Sequence, residues 1–330
     1  MIYGIENLTA EDVKKAGYNF GADIVRIGSI DRWKDIPAHQ NPRTIMPRAK
    51  SVICIGFRIH RGLLRGAEEG TYYSAYTLAG FDDINKIIAP VVQRRMASFL
   101  EDCGYEAVPV MYFSHNLTGR HNLTTGGTEL EGDVKPDVFI DFRLAGVLCG
   151  AGEIGYSRLL LTPEFGPAQR VFFIITEAEL EEDPIVTGIC DKCMECVRTC
   201  PANALSEDKT DNFEIPGVAS INRSKINTVK CCLSHVGGAH STFAPEEVKA
   251  YARNIIEGTD ELTADGKPYP TAEEIKKNVT DKVNYAANAE KIFDTPSALC
   301  GDGCIRNCLA HLEDAGKLTH KFHSRFRGES

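Results

Sequence analysis

Apolar and polar positions follow two rhythms along the first half of the chain, one of period two and one of helical period. Thr9, followed by Glu11 and Asp12, is placed to cap a short helix over 9–17 that stops at Gly17. The run DIVRIG, Asp23 to Gly28, alternates and predicts a strand. SVICIGF, Ser51 to Phe57, is an apolar run of strand length and predicts a strand inside a sheet. Residues 71–102 carry a helical pattern broken near Gly80 and Pro90, with Tyr72, Tyr73 and Tyr76 as a stripe suited to a core or pocket wall. Glu106 to Tyr112 predicts a further strand. The stretch 114–133, rich in Gly, Thr and Asn, predicts a long functional loop. An apolar helix is predicted over 137–149, leading into Gly150, and a buried strand over Val171 to Ile175. Strands alternating with helices place this half in the α/β or α+β class.

The second half changes character at residue 188, where cysteines begin to cluster. Between Cys232 and Cys300 lies an insert rich in Glu, Lys and Ala that fits two helices, about 244–256 and 271–293, joined by a turn over Thr263 to Pro268. With 330 residues the chain is long enough for two domains. No apolar run reaches the roughly 18 residues of a membrane span, and the N-terminus has no signal-peptide core, so a cytoplasmic location is expected. The net charge of −9 argues against non-specific nucleic-acid binding. One basic stretch stands out, KLTHKFHSRFR from Lys317 to Arg327; it reads as a solvated tail, or as a surface able to steer in an acidic electron carrier.

Cysteine carries the chemistry. Twelve are present, and in a long chain expected inside the cell they point to metal or redox work before a disulfide framework. CDKCMECVRTCP, with Cys190, Cys193, Cys196 and Cys200 before Pro201, has the C-x2-C-x2-C-x3-C-P spacing of a [4Fe–4S] site. Zinc is the rival, but zinc pairs are set further apart. In two-cluster ferredoxins the fourth Cys of such a run ligates the other cluster. The remaining ligands then come from Cys231, Cys232, Cys300, Cys304 and Cys308. By this crossing, Cys190, Cys193 and Cys196 are expected to share a cluster with Cys308, and Cys200 to join Cys300, Cys304 and one of Cys231 or Cys232. Cys54 and Cys103 read as core thiols.

GAGEIG, with Gly150, Gly152 and Gly155, matches G-x-G-x-x-G. It follows a predicted helix and not a strand, which disfavours a dinucleotide fold, and close packing is the competing explanation. The wider segment LAGVLCGAGEIGYSRLLLTPEFGPAQR, Leu144 to Arg170, resembles a stretch of the cobalamin-dependent reductive dehalogenases, and epoxyqueuosine reductases carry a similar glycine segment. FLEDCGYEAVP (Phe99 to Pro109), TEAEL from Thr176 and PIVTG from Pro184 keep the same order, and KCCLSH (Lys230 to His235) resembles the lone-Cys motif of epoxyqueuosine reductase, favouring Cys232.

The resemblance implies a nitroreductase-like core over 1–183 that binds a corrinoid, and a ferredoxin-like domain over 184–330 with two [4Fe–4S] clusters and a helical insert about 241–299. It implies an oxidoreductase that takes electrons from a low-potential donor such as ferredoxin or flavodoxin and reduces an organic substrate, by dehalogenase-like or epoxide-reductase-like chemistry in a low-oxygen setting. Two other readings stay open: a corrinoid-free electron-transfer protein docking a partner enzyme, and a tRNA-modifying reductase. Gly150, Gly152, Gly155, Tyr156 and Arg158 are the cofactor-binding candidates, Tyr156 standing where the relatives have Arg or Lys. DVKP resembles the relatives' Asp-x-x-P element, making Asp133 the candidate proton donor, with Asp137 or Asp141 as alternatives. Tyr112, His115 and His121 are further candidates in or beside the polar loop.

Overall fold

The computed structural model describes residues 7–72, 75–111, 138, 140–227, 230–231, 234 and 303–328. Helix α1 (Ala10–Asn19) opens on a capping box: Asp12 N donates to Thr9 Oγ1 at 3.2 Å and Thr9 N donates back to the Asp12 carboxylate at 3.1 Å. It runs past the expected stop at Gly17. Strand β1 (Ile24–Ser29), a short helix α2 (Pro42–Ile45), strand β2 (Ser51–Arg58) and helix α3 (Arg61–Glu69) follow. The predicted long helix is π-helical over Tyr76–Asp82 and Ile84–Ile88, and becomes α4 (Ala89–Asp102) with Pro90 in its first turn. Tyr76 is buried while Tyr72 is exposed, so the tyrosines form no single wall; Tyr73 lies outside the described residues.

Strand β3 (Ala107–Val110) precedes helix α5 (Phe142–Leu148), which begins later than the predicted 137. Asp141 is its N-cap, accepting from Arg143 N at 2.9 Å and Leu144 N at 3.0 Å. That carboxylate, an alternative proton-donor candidate, caps the helix in this structure. Next come a two-residue pair, β4 (Glu153–Ile154) and β5 (Leu160–Leu161), and the long strand β6 (Gln169–Thr176).

The main sheet has the order β1-β2-β6-β3 and every pair is antiparallel, so the α+β member of the expected class is the one adopted. The apolar run at 51–57 forms an interior strand, with Ile53 facing Ile27 on one side and Ile174 on the other. Both faces are covered, which is why β2 and β6 are apolar at nearly every position. Ile53, Ile55, Phe172 and Ile174 pack with α1 and α4. Val52, Cys54, Phe173 and Ile175 pack with α5 and Trp33. Each such large side chain contributes about 1.5–3 kcal/mol by burial.

The cysteine half is built onto this sandwich. After a single turn, α6 (Glu195–Arg198), strands β7 (Leu205–Ile215) and β8 (Ala219–Ile226) form a hairpin that no apolar pattern predicts. Its end drives Ile215 and Ile221 into the core on the α5 side. Helix α7 (Gly303–Asp314) sends Ile305, Leu309 and Leu312 into the core on the α1 and α4 side. Both cores therefore continue across residue 183. Asp183 itself is tied to β1, accepting from Ile27 N at 2.8 Å and from Lys14 Nζ at 2.7 Å.

Two charge pairs join α3 to α7 in opposite directions: Arg61 to Glu313 at 2.9 Å, and Glu68 to Arg306. Arg327 closes on the same Glu68 carboxylate. The basic stretch from Lys317 is thus anchored, with Leu318 and Phe326 buried, and is not a free solvated tail. The predicted helices over 244–256 and 271–293 and the loop over 114–133 lie outside the described residues. Among the described residues no helix is long and apolar enough to cross a membrane.

Candidate metal centre

The cysteine run folds as a tight loop because two residues between its cysteines take left-handed backbone: Lys192 with φ 58° and Met194 with φ 65°. Such conformations cost non-glycine residues about 1–3 kcal/mol each and persist where surroundings fix them. Here Arg198 donates to Cys193 O at 2.6 Å, and Val197 N and Arg198 N both donate to Met194 O. Upstream, the Glu153 carboxylate accepts from Gly188 N at 2.8 Å and from Cys190 N, pinning the loop's start to β4.

Cys190, Cys193 and Cys196 line one small cavity of about 20 Å³, and Cys308 lines it from α7. Tyr156, Leu161, Asp191 and His311 complete its wall. Tyr156 N donates to Cys190 Sγ at 3.3 Å. Burial raises the Cys196 thiol to about 11, and the neighbouring Cys190 and Cys193 add to that shift. Cys308 is pushed up by burial, then by Cys190, Cys196 and Cys193. Cys193, Cys196 and Cys308, raised by burial and by neighbouring thiols, become thiolates together only around compensating positive charge, which is what a metal supplies. The donor set thus suits a soft, thiolate-seeking metal or cluster.

At the mouth, His311 Nε2 lies 2.9 Å from Asp191 Oδ2, and Lys317 Nζ lies 3.6 Å from the same carboxylate. Burial would raise Asp191, but the His311 hydrogen bond and the charges of His311 and Lys317 hold it below its ordinary value. Asp191, Cys193 and His311 offer ligand atoms within 4.8 Å of one another. Sequence spacing singled out neither Asp191 nor His311. An i, i+3 step from Cys308 to His311 on a helix was the available signal for the latter.

The second ligand set is partly described. Cys200 ends the turn after α6, its Sγ accepting from Ala204 N at 3.3 Å. Cys304 lies in the first turn of α7, which packs on α6. Cys231 is half-buried, and Cys232 and Cys300 lie outside the described residues. Cys54 and Cys103 are buried core thiols, as is Cys149, whose Sγ lies 3.4 Å from Val52 O.

The glycine segment has a different position from the one expected. A side chain on Gly150 would meet Pro184 O at 2.3 Å, one on Gly152 would meet Leu161 O at 1.9 Å, and one on Gly155 would meet Leu161 Cδ1 at 2.7 Å. These glycines admit neighbouring parts of the chain in the direction a side chain would take. Tyr156 donates its hydroxyl to Glu207 O at 3.0 Å, and Arg158 reaches Asp211 at 3.1 Å and Ser224 O at 2.9 Å. Both side chains are engaged with the hairpin. The segment therefore joins the cysteine loop to the sheet domain, and Glu153 inside it is the residue that the motif reading missed. Asp133, Tyr112, His115, His121 and Asp137 lie outside the described residues.

No family model matches the chain. A tetrachloroethene reductive dehalogenase of Desulfitobacterium hafniense is 40% identical over 67 residues, 19% of this chain and 12% of that one. An epoxyqueuosine reductase of Listeria monocytogenes is 28% identical over 111 residues, 34% of this chain and 25% of that one. The chain has homologues in both groups. These matches span a quarter or less of each relative's length. The solved catabolic reductive dehalogenase NpRdhA aligns with 91% of this chain and 39% of its own, at 17% identity and a TM-score of 0.51, which establishes a shared fold. An epoxyqueuosine reductase solved with a modified tRNA stem loop aligns with 93% of this chain and 82% of its own, at 14% identity and a TM-score of 0.45.

Proposed function

We propose that the chain is an iron–sulfur oxidoreductase that moves low-potential electrons through two [4Fe–4S] centres to an organic substrate, with a corrinoid as the terminal cofactor. One observation carries the iron–sulfur part: Cys190, Cys193, Cys196 and Cys308, separated by up to 118 positions (308 less 190), line a single cavity. These four residues would hold the first cluster. Cys200, Cys232, Cys300 and Cys304 are the proposed set for the second. Such clusters supply one-electron transfer. Around them this chain excludes water with Leu161 and Leu312, fixes the loop through Glu153, and places the Tyr156 amide on the Cys190 sulfur.

The corrinoid part rests on the segments shared with the dehalogenases and reductases. At Gly150, Gly152 and Gly155 neighbouring chain meets each in the direction a side chain would take, so packing alone accounts for these glycines. That same packing favours a second reading, a corrinoid-free electron-transfer protein. A tRNA-modifying activity is the third. The acidic balance weighs against it, the epoxyqueuosine reductase homology supports it, and queuosine content in a deletion strain tests it.

Iron and cobalt counts on anaerobically purified protein, with a cobalamin titration followed in the visible, separate the first two. About eight iron atoms per chain, four to each cluster, with cobalamin uptake support the full reading. The same iron without cobalamin uptake leaves the carrier reading. About four iron atoms, unchanged in Cys304→Ala and Cys308→Ala, overturn the two-cluster assignment.

A further inference from the structure

We propose that the exposed face of residues 317–325 is a docking surface for an acidic one-electron carrier protein. The proposal deepens the redox reading above and rests on it. In a chain of net charge −9, the stretch 317–327 holds four Lys or Arg and no carboxylate. Phe322 stands on this stretch with 45% of its surface exposed, flanked in sequence by exposed Lys321 and His323, with Arg325 beyond. An exposed aromatic among cations is the composition of an interface anchor.

The face is held in shape before any partner arrives. The Arg61 guanidinium stacks over the Phe322 ring at 3.7 Å, and His320 meets the ring edge-on at 4.9 Å. Leu318 and Phe326 are buried on either side. Pre-ordering of this kind lowers the entropic cost of association. Lys317 and Arg327 are paired with Asp191 and Glu68, which leaves Lys321 and Arg325 as the outward cations. Lys321 is held by a carbonyl, Gly316 O at 2.9 Å, and Arg325 keeps 73% of its side-chain surface exposed while pairing with Asp314 at 3.7 Å.

The face is joined to the thiol cavity in two ways. Lys317 donates to Ile189 O at 3.1 Å, beside Cys190. Arg61, under Phe322, pairs with Glu313 on the helix that carries Cys304 and Cys308. A carrier with a carboxylate-rich face would be steered here by opposite charge. Each encounter passes one electron: the carrier is oxidised by one, this chain is reduced by one, and no bond forms or breaks.

The test uses the full chain purified anaerobically and a fluorescently labelled plant-type ferredoxin as the acidic probe, with binding read by anisotropy at low and physiological salt. Binding is expected to weaken with salt. Lys321→Glu/Arg325→Glu should weaken it about tenfold or more at low salt, since each reversal replaces an attraction with a repulsion. Phe322→Ala should weaken it about tenfold without steepening the salt dependence. Neither variant should change iron content or reduction by dithionite. Wild-type affinity in both variants, salt-insensitive binding, or no binding by iron-loaded wild-type protein overturns the docking surface alone. Wild-type protein that holds no iron and shows no dithionite-bleachable absorbance overturns the redox reading and this surface with it.

Discussion

Glu68→Gln tests whether the helix carrying the proposed ligands is held by charge. The Glu68 carboxylate accepts from Arg306 and Arg327 at once, and its side chain keeps 17% of its surface against 16% for Arg306 and 37% for Arg327. Removing one charge from a buried pair costs about 3–5 kcal/mol, because the partner stays buried without compensation. Exposed pairs give at most about 1 kcal/mol. This three-group cluster lies between, and the amide retains some hydrogen bonding, so a loss of about 2 kcal/mol is expected. Urea unfolding measures it as a lower midpoint at unchanged slope.

The acid limb of the same experiment fixes the cause. Burial alone would raise the Glu68 pKa, yet the Arg327 hydrogen bond and the Arg306 and Arg327 charges bring it below the ordinary value. A group depressed in the folded state stabilises above its unfolded pKa, about 4.3 for Glu, and that stabilisation is lost as pH falls through the folded value. The wild type and Glu68→Gln should therefore converge in acid. A difference under about 0.5 kcal/mol at neutral pH, or one that persists unchanged in acid, refutes the reasoning.

Cys308→Ser should lower the iron content by about half and take the matching visible absorbance with it, whereas Cys54→Ala should leave both unchanged; atomic absorption and optical spectra decide. Glu153→Gln should cost about 1–2 kcal/mol in urea unfolding through its weakened bonds to Gly188 N and Cys190 N, and should hasten iron loss to a chelator. Ile221→Ala should cost about 2–4 kcal/mol by opening a cavity where the hairpin enters the sheet core, with no change in iron. Iron removal should lower the thermal midpoint of the wild type more than that of Cys308→Ser, since ligand binding to the folded state adds stability.

What could be read from the sequence was what is local. The capping box at Thr9 and the apolar strands β2 and β6 depend on neighbours along the chain, and they appear where the pattern places them. The cavity also brings Cys308 beside Cys190, Cys193 and Cys196, the grouping that the crossing pattern predicts. The hairpin β7–β8 was not legible. Its strands are held by polar cross-strand pairs such as Asn222 to Asn212 at 2.7 Å, and only isolated apolar residues such as Ile215 and Ile221 reach the core. The basic stretch misled for a similar reason, since Leu318 and Phe326 are single anchors in a charged run. The glycine motif showed that something comes close but not what: Pro184 and Leu161 are partners that only the fold selects.

The fourth thiol of the cavity arrives late in the life of the chain. Cys308 follows Cys196 by 112 residues (308 less 196), and translation at about 5–20 residues per second separates the two by roughly 6–22 seconds. Through that interval the first three thiols are already synthesised and incompletely coordinated. A centre drawn from both ends of such an interval closes only on a chain translated through α7, so loading with metal would report that translation had reached that far.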